Sequence, residues 1–328
     1  MQRRTLLSAG VAFGGLACIG SPALAQGASK SVTLWSGFPV GGGLGDQVAR
    51  PLIDQLRGKY PQPFIYDAKP GAGGRIAAEF VKRAPPDGNT LFGCPSSLMT
   101  LHPHVFKKLP YDTLNDFTSI AGLCSYTAVF TAGPGLPAEI RTVADYLKWA
   151  KANPSLANYG VPASGSSLHL AGAMLGKQAG VEMQSVPYKG GAPLLTDLRG
   201  GQIPVSFNVV SEVLPHIRAG TLRALAVSAP TRWKALPDTP TLTELGYKDI
   251  AFVDWLGWYG PAGMDKAKVN ALNAAVNEAL AGPAMAEVID KNGLEIMRVS
   301  PEGLAKAVRE NHAFWGQVVK VTGFKPED

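Results

Sequence analysis

Four stretches of small residues each stand where a helix is expected to begin, and an unobstructed helix start can hold an anion. Gly41-Gly42-Gly43-Leu44-Gly45-Asp46 follows a first apolar run, and Pro70-Gly71-Ala72-Gly73-Gly74 follows a second. Ser164-Gly165-Ser166-Ser167 opens a helix carrying His169, and Tyr188-Lys189-Gly190-Gly191 leads into one with Pro193 near its first position. The leading N–H groups of a helix lack carbonyl partners and together carry about half a positive charge. Small residues let a ligand approach that backbone closely. Several such ends converging would suit a carboxylate or phosphate, each charge-assisted bond contributing roughly 1.5–3 kcal/mol. Taken singly, each stretch reads as an ordinary tight turn. Gly41 to Gly45 is neither a dinucleotide fingerprint, whose spacing fails at Asp46, nor a P-loop, which needs a following Lys-Ser/Thr. Asp46 reads as a helix cap or a loop-ordering group rather than a catalytic acid.

Catalytic constellations are not found. His102 and His104, in a Pro-containing loop, offer two metal ligands with no third nearby. No G-x-S-x-G elbow occurs. Ser166 and Ser167 precede His169, but side chains at a helix start diverge from nucleophile–base geometry. His169 is expected to pack or hydrogen-bond in the first turn, with ligand contact as the alternative. Cys94 and Cys124 have two readings, a disulfide permitted by an oxidising compartment or two small buried hydrophobes. The expectation is a protein with no cofactor, no metal and no enzymatic activity.

The elements that must position these loops follow from the pattern of apolar residues. Strands are expected at 32–35, 64–66, 90–93, 159–161, 183–187, 205–207 and 222–228, and helices at 47–57, 75–83, 142–152, 168–179 and 194–199. Such alternation favours an α/β fold with parallel sheets. The aromatic run Phe252 to Tyr259 breaks the pattern, and its Trp255 and Trp258 suit core or hinge packing better than a stacking platform. Late helices should start at Asp265 and at Ser300-Pro301. A chain of 328 residues is about right for two lobes. With 46% apolar and 17% charged residues, disorder as the main state is excluded. Net charge is +6 without any Lys/Arg run, which argues against nucleic acid as a partner. No low-complexity linker interrupts the chain, so it should pass between lobes on strands.

Arg3-Arg4, an apolar centre from Leu6 to Ile19 and Ala23-Leu24-Ala25 make an export signal of twin-arginine type, cleaved after Ala25. Removing Arg3 and Arg4 takes the charge from +6 to +4. The glycines and Pro22 within the segment argue against a retained span, which needs ~20 apolar residues. The mature protein is therefore expected to be soluble outside the cytoplasm.

Motifs stand in order along the mature chain: Phe38-Pro39 with Gly42-Gly43 and Asp46-x-x-Ala49-Arg50, Lys69 to Gly74, Pro86-Asp87-Gly88-x-Thr90-Leu91 and Leu109-Pro110-Tyr111-Asp112. Ser164-Gly165-x-Ser167-x-His169-Leu170, Val186-Pro187-Tyr188-Lys189-Gly190 and Leu236 to Thr241 complete the set. Together they resemble the extracytoplasmic receptors of tripartite tricarboxylate transporters, the Bug (Bordetella uptake gene) or TctC-like family. The resemblance implies a two-lobed periplasmic binding-protein fold of type II-like form, the lobes joined by two crossing strands. Lobe 1 would take residues 26–125 and 251–328, and lobe 2 residues 126–250. It implies a monomer that delivers a small carboxylate to membrane permease subunits. Ligand contacts would come from Phe38, Gly41, Gly42, Gly43 and Asp46 of the first loop, with Ser96 after the third strand. From the facing lobe would come Ser164, Gly165, Ser166, Ser167 and His169, then Tyr188, Lys189, Gly190 and Asn208. Two departures bear on ligand identity: a first loop one residue longer, and Pro204 where the family usually has aspartate. The ligand is left open among mono-, di- and tricarboxylates, aromatic acids and amino acids. A sensor subunit, or a hydrolase or isomerase in the same cleft, stands as the competing reading.

Overall fold

The computed structural model describes residues 30–41 and 43–324; the export segment with its cleavage site, and Gly42, lie outside them. The chain starts with β1 (Val32–Ser36), whose Val32 and Leu34 are fully buried. Helix α1 (Leu44–Leu56) buries Leu44, Val48, Leu52 and Leu56, a stripe recurring every four residues down one face. It starts three residues earlier than the sequence pattern suggests, so Pro51 falls in its middle rather than near its start. β2 (Phe64–Ala68), α2 (Arg75–Lys82) and β3 (Thr90–Pro95) follow, then two single turns, α3 (Ser97–Thr100) and α4 (His102–Val105). His102 and His104 therefore lie on a short helix rather than in a loop, with Pro103 in its first turn, where the missing N–H costs nothing.

β4 (Phe117–Tyr126) is separated from β5 (Ala128–Ala132) by Thr127 alone, and on that strand pair the chain passes into the second lobe. There α5 (Val143–Ala152), closed by a Thr142–Asp145 capping box, leads to β6 (Asn158–Val161), α6 (Ser167–Ala179), β7 (Gln184–Pro187) and α7 (Gly191–Arg199). β8 (Val205–Val209), α8 (Val210–Arg218) and β9 (Arg223–Val227) complete this lobe. The return strand is β10 (Asp254–Pro261), followed by α9 (Lys266–Ala281), α10 (Pro283–Lys291), the two-residue β11 (Glu295–Ile296) and α11 (Pro301–Thr322). Asp265 and Ser300 cap α9 and α11 as expected, accepting from Lys268 N and Gly303 N.

The strand order is β11-β4-β10-β3-β1-β2 in the first sheet and β7-β6-β8-β5-β9 in the second. Both are mixed rather than parallel. β1 pairs parallel to β2 and β3, and β6 to β7 and β8, but β10 runs antiparallel to β3 and β4, and β5 to β8 and β9. The cause is the crossing itself, because the strand that returns from the second lobe must run against the strands it rejoins. All eight residues of β10 are buried, so the aromatic run is a central strand, with Trp258 fully enclosed and Trp255 donating from Nε1 to Tyr259 Oη at 3.1 Å. Cys94 and Cys124 are free and buried on β3 and β4, each opposite a residue of the intervening β10. Burial holds both thiols protonated, Cys124 with a pKa pushed up to about 12. Among the described residues no helix is long and apolar enough to cross a membrane.

Candidate functional site

A cavity of about 120 Å³ opens between the lobes at the carboxyl ends of the inner strands, the place where α/β sheets bind ligands. The first lobe supplies Ser36 at the end of β1, Phe38 to Gly41, the first turn of α1 and Ser97 of α3. The second supplies Pro162 and Ala163 after β6, Ser166, the stretch Lys189–Pro193 that starts α7, and Glu212 on α8. Tyr126 and Leu256, from the crossing strands β4 and β10, reach the cavity between them.

The first loop is shaped by its own hydrogen bonds. Ser36 Oγ accepts from Phe38 N and donates to Phe38 O, both at 3.1 Å. Gly41, at φ +134°, donates its N–H to Asp46 Oδ2 at 2.9 Å, and Arg50 Nε donates to Asp46 Oδ1 at 2.9 Å. Asp46 thus orders the loop, and its charge is met by Arg50. Glycines cap α1 and α7, Gly43 and Gly190, so neither helix carries a cap side chain of its own, although the Leu44 N–H of α1 is taken by Glu212. At α6 the opposite holds. Ser166 Oγ accepts from His169 N at 3.1 Å and donates to Ala163 O at 2.8 Å, so that helix end is closed by its own cap.

Of the residues singled out from the sequence, Phe38, Gly41, Gly43, Asp46, Ser166, Lys189 and Gly190 line the cavity. Gly42 lies outside the described residues, and the remaining expected ligand contacts do not line the cavity. Ser96 and Ser167 are buried and donate their hydroxyls to Asp254, Ser96 to Oδ1 at 2.7 Å and Ser167 to Oδ2. The His169 ring is buried, accepts Gly165 N–H at Nδ1 (3.1 Å) and meets Phe324 edge-on. Tyr188 Oη donates to Asp197 Oδ2 at 2.8 Å. Asn208 is buried on β8, where its Oδ1 accepts from Ser206 Oγ. Ser164 also lies outside the cavity wall. His102 lines the cavity from α4, and burial beside the Arg75 charge lowers its pKa to about 3, leaving it neutral. Its Nδ1 lies 3.1 Å from Tyr111 Oη. Among the described residues no three His, Cys, Asp or Glu side chains gather as a metal site.

Two acids matter that the sequence pattern did not single out. Asp254 begins β10, 2% exposed, between a serine of each lobe. Burial raises its pKa while the Ser167 and Ser96 hydroxyls pull it down. Glu212 is 8% exposed and lines the cavity. Burial pushes its pKa up to about 7, against hydrogen bonds from the backbone of Leu44 and Val209. Its Oε2 has no hydrogen-bond partner among the described residues. A methyl group built on Gly191 would collide with both carboxylate oxygens, so only glycine fits there while Glu212 holds this position. Each acid had a visible signal. Asp254 is the one charge within the apolar run Phe252 to Tyr259, and Glu212 follows the strand sequence Val205 to Val209 at a helix start.

The profile of the tripartite tricarboxylate transporter family receptor matches residues 48–324. Protein BugT of Bordetella pertussis (strain Tohama I) is 30% identical over 289 residues, covering 88% of each chain. Rpa4515 of R. palustris, solved with adipate, aligns with TM-score 0.85 at 31% identity over 91% of this chain and 99% of its own. MatC (Rpa3494) of Rhodopseudomonas palustris, solved with bound malate, aligns with TM-score 0.82 at 28% identity, covering 88% and 98%.

Proposed function

Because this chain belongs to the tripartite tricarboxylate transporter family of receptors, we propose that it is an extracytoplasmic receptor that holds a small carboxylate between its lobes and delivers it to a tripartite-type membrane permease. One observation carries this reading, the meeting of two glycine-capped helix N-termini, α1 and α7, on a single interlobe cavity. Backbone donors aimed into an enclosed space bind an anion without a catalytic side chain, which favours capture over turnover. The solved relatives that carry adipate and malate support the ligand class.

Phe38, Gly41, Gly43, Asp46, Ser166, Lys189 and Gly190 are the proposed ligand-facing residues, with Gly42 from the same loop. Strand membership in the two sheets supports a lobe 1 of residues 26–125 and 251–328 and a lobe 2 of residues 126–250. In this reading the export segment is cut after Ala25 and the mature monomer works in the periplasm. The ligand stabilises the closed arrangement by contacting both lobes.

The test is native mass spectrometry of the mature protein, followed by thermal shifts with mono-, di- and tricarboxylates. A ligand at a hundredfold excess over its Kd stabilises the folded state by about 2.7 kcal/mol. Retained carboxylate mass, or a clear shift with one class, is the expected result. A flat panel with no retained mass overturns the receptor reading.

A further inference from the structure

Glu212 is a charge placed where a carboxylate receptor should not need one. It is the third residue of α8, and the backbone N–H of Val209, the cap of that helix, bonds its carboxylate. A glutamate at this position reaching back to its cap is half of a capping box. Its second backbone donor comes from the other lobe, from Leu44, the first residue of α1. Gly191, the first residue of α7, packs its bare Cα against the same carboxylate. Three helix N-termini therefore meet on an acid that belongs to the protein, and a ligand carboxylate brought to that point would face a like charge.

The second oxygen of that acid, Oε2, has no partner among the described residues, although the side chain is more than nine-tenths buried in the cavity wall. An enclosed acceptor without a donor is costly, and a ligand that brings the donor removes the cost. Among the described residues three charged side chains line the cavity, and Arg50 already meets the charge of Asp46. The other two, Lys189 and Glu212, are of opposite sign.

Resting on the receptor reading above, we infer that the ligand is an aminocarboxylate whose ammonium group donates to Glu212 Oε2 while its carboxylate is held by the α1 loop and Lys189. Glu212 is thereby a specificity-determining residue, rewarding an amino group and penalising a second carboxylate at the α8 end of the cavity.

The test uses ligands that share a skeleton. Succinate, malate and aspartate differ only in carrying no added donor, a hydroxyl or an ammonium group; adipate with 2-aminoadipate and 3-phenylpropionate with phenylalanine extend the length. Isothermal titration of the mature protein at pH 8 should give, within at least one skeleton, an amino member at least tenfold tighter than its deamino partner. Glu212→Gln should shrink that ratio below threefold, and circular dichroism would confirm that the variant is folded. The titratable and charged groups around Glu212 are Asp46 with its Arg50, Lys189 and Tyr126. Repeating the titration at pH 6 therefore gives a check that needs no variant. Equal affinities within every skeleton that binds overturn the inference. So does a deamino acid that binds tighter and gains affinity at pH 6, since Glu212 would then act as a protonated donor to a carboxylate. In both cases the receptor reading survives. A panel in which nothing binds removes that reading and this inference with it.

Discussion

Asp254 and Glu212 are both carboxylates buried where the lobes meet, and they differ in what surrounds them. Asp254 receives a serine hydroxyl on each oxygen, one from the first lobe and one from α6 of the second. Glu212 has backbone donors from Leu44 and Val209 and an oxygen that no described residue meets. A buried charge whose oxygens are all engaged ties elements together, whereas one with unused capacity can still respond to something that enters the cavity. In the receptor reading proposed above, the first belongs to the hinge and the second to the proposed binding site.

Removing the tie should have the largest effect. Asp254→Ala strips the acceptor from two buried hydroxyls and opens a void beside β10, and each orphaned group costs about 1–3 kcal/mol. The expected loss in urea unfolding is about 3–5 kcal/mol. A loss below about 1 kcal/mol would break the comparison, because Asp254 would then be tying nothing.

Glu212 should behave in the opposite sense. Its folded pKa of about 7 lies above the ordinary 4.5, so between those pH values the folded protein holds a proton that the unfolded chain has released. Stability therefore falls as pH rises through that window and levels off above it. The full effect is about 3 kcal/mol. Glu212→Gln should remove this slope and make the ligand-free protein more stable at pH 8, the reverse of what losing a structural tie would do. Thermal unfolding across pH 4.5–8 measures it, and identical slopes in the two proteins would remove Glu212 as the source.

How far the sequence disclosed these two regions depends on how local each signal is. The glycine loops were legible because a tight turn before a helix is written in consecutive residues, and Gly43 and Gly190 do cap α1 and α7. Helix starts at Asp265 and Ser300 were legible for the same reason. The direction of β10 was not, since antiparallel pairing with β3 and β4 arises from a chain that left at Thr127 and returned more than a hundred residues later. Ser96 and Ser167 show the same limit. Small hydroxyls at helix starts suit a ligand equally well, and only the fold brings Asp254 between them, 158 and 87 residues away. Burial on both faces hid β4 and β5, which mix Thr, Ser and Gly with apolar residues and lack the alternation that marks a half-exposed strand.

The two serines give the smallest predicted effects and the finest division of the hinge from the site. Each hydroxyl removed should cost about 1–2 kcal/mol of stability, because the Asp254 oxygen it served loses a donor. Their effects on binding should differ. Ser96 and Asp254 both lie on the first lobe, so Ser96→Ala weakens that lobe without altering closure and should leave ligand affinity within about twofold. Ser167 reaches Asp254 from α6 of the second lobe, so losing it loosens the closed arrangement and should lower affinity about fivefold, the equivalent of about 1 kcal/mol. A hinge effect is blind to ligand structure, and the loss should therefore be the same for every carboxylate in the calorimetric panel. A loss that varies with ligand length would instead put the Ser167 hydroxyl in contact with the ligand, and would move the boundary between hinge and site to the first turn of α6.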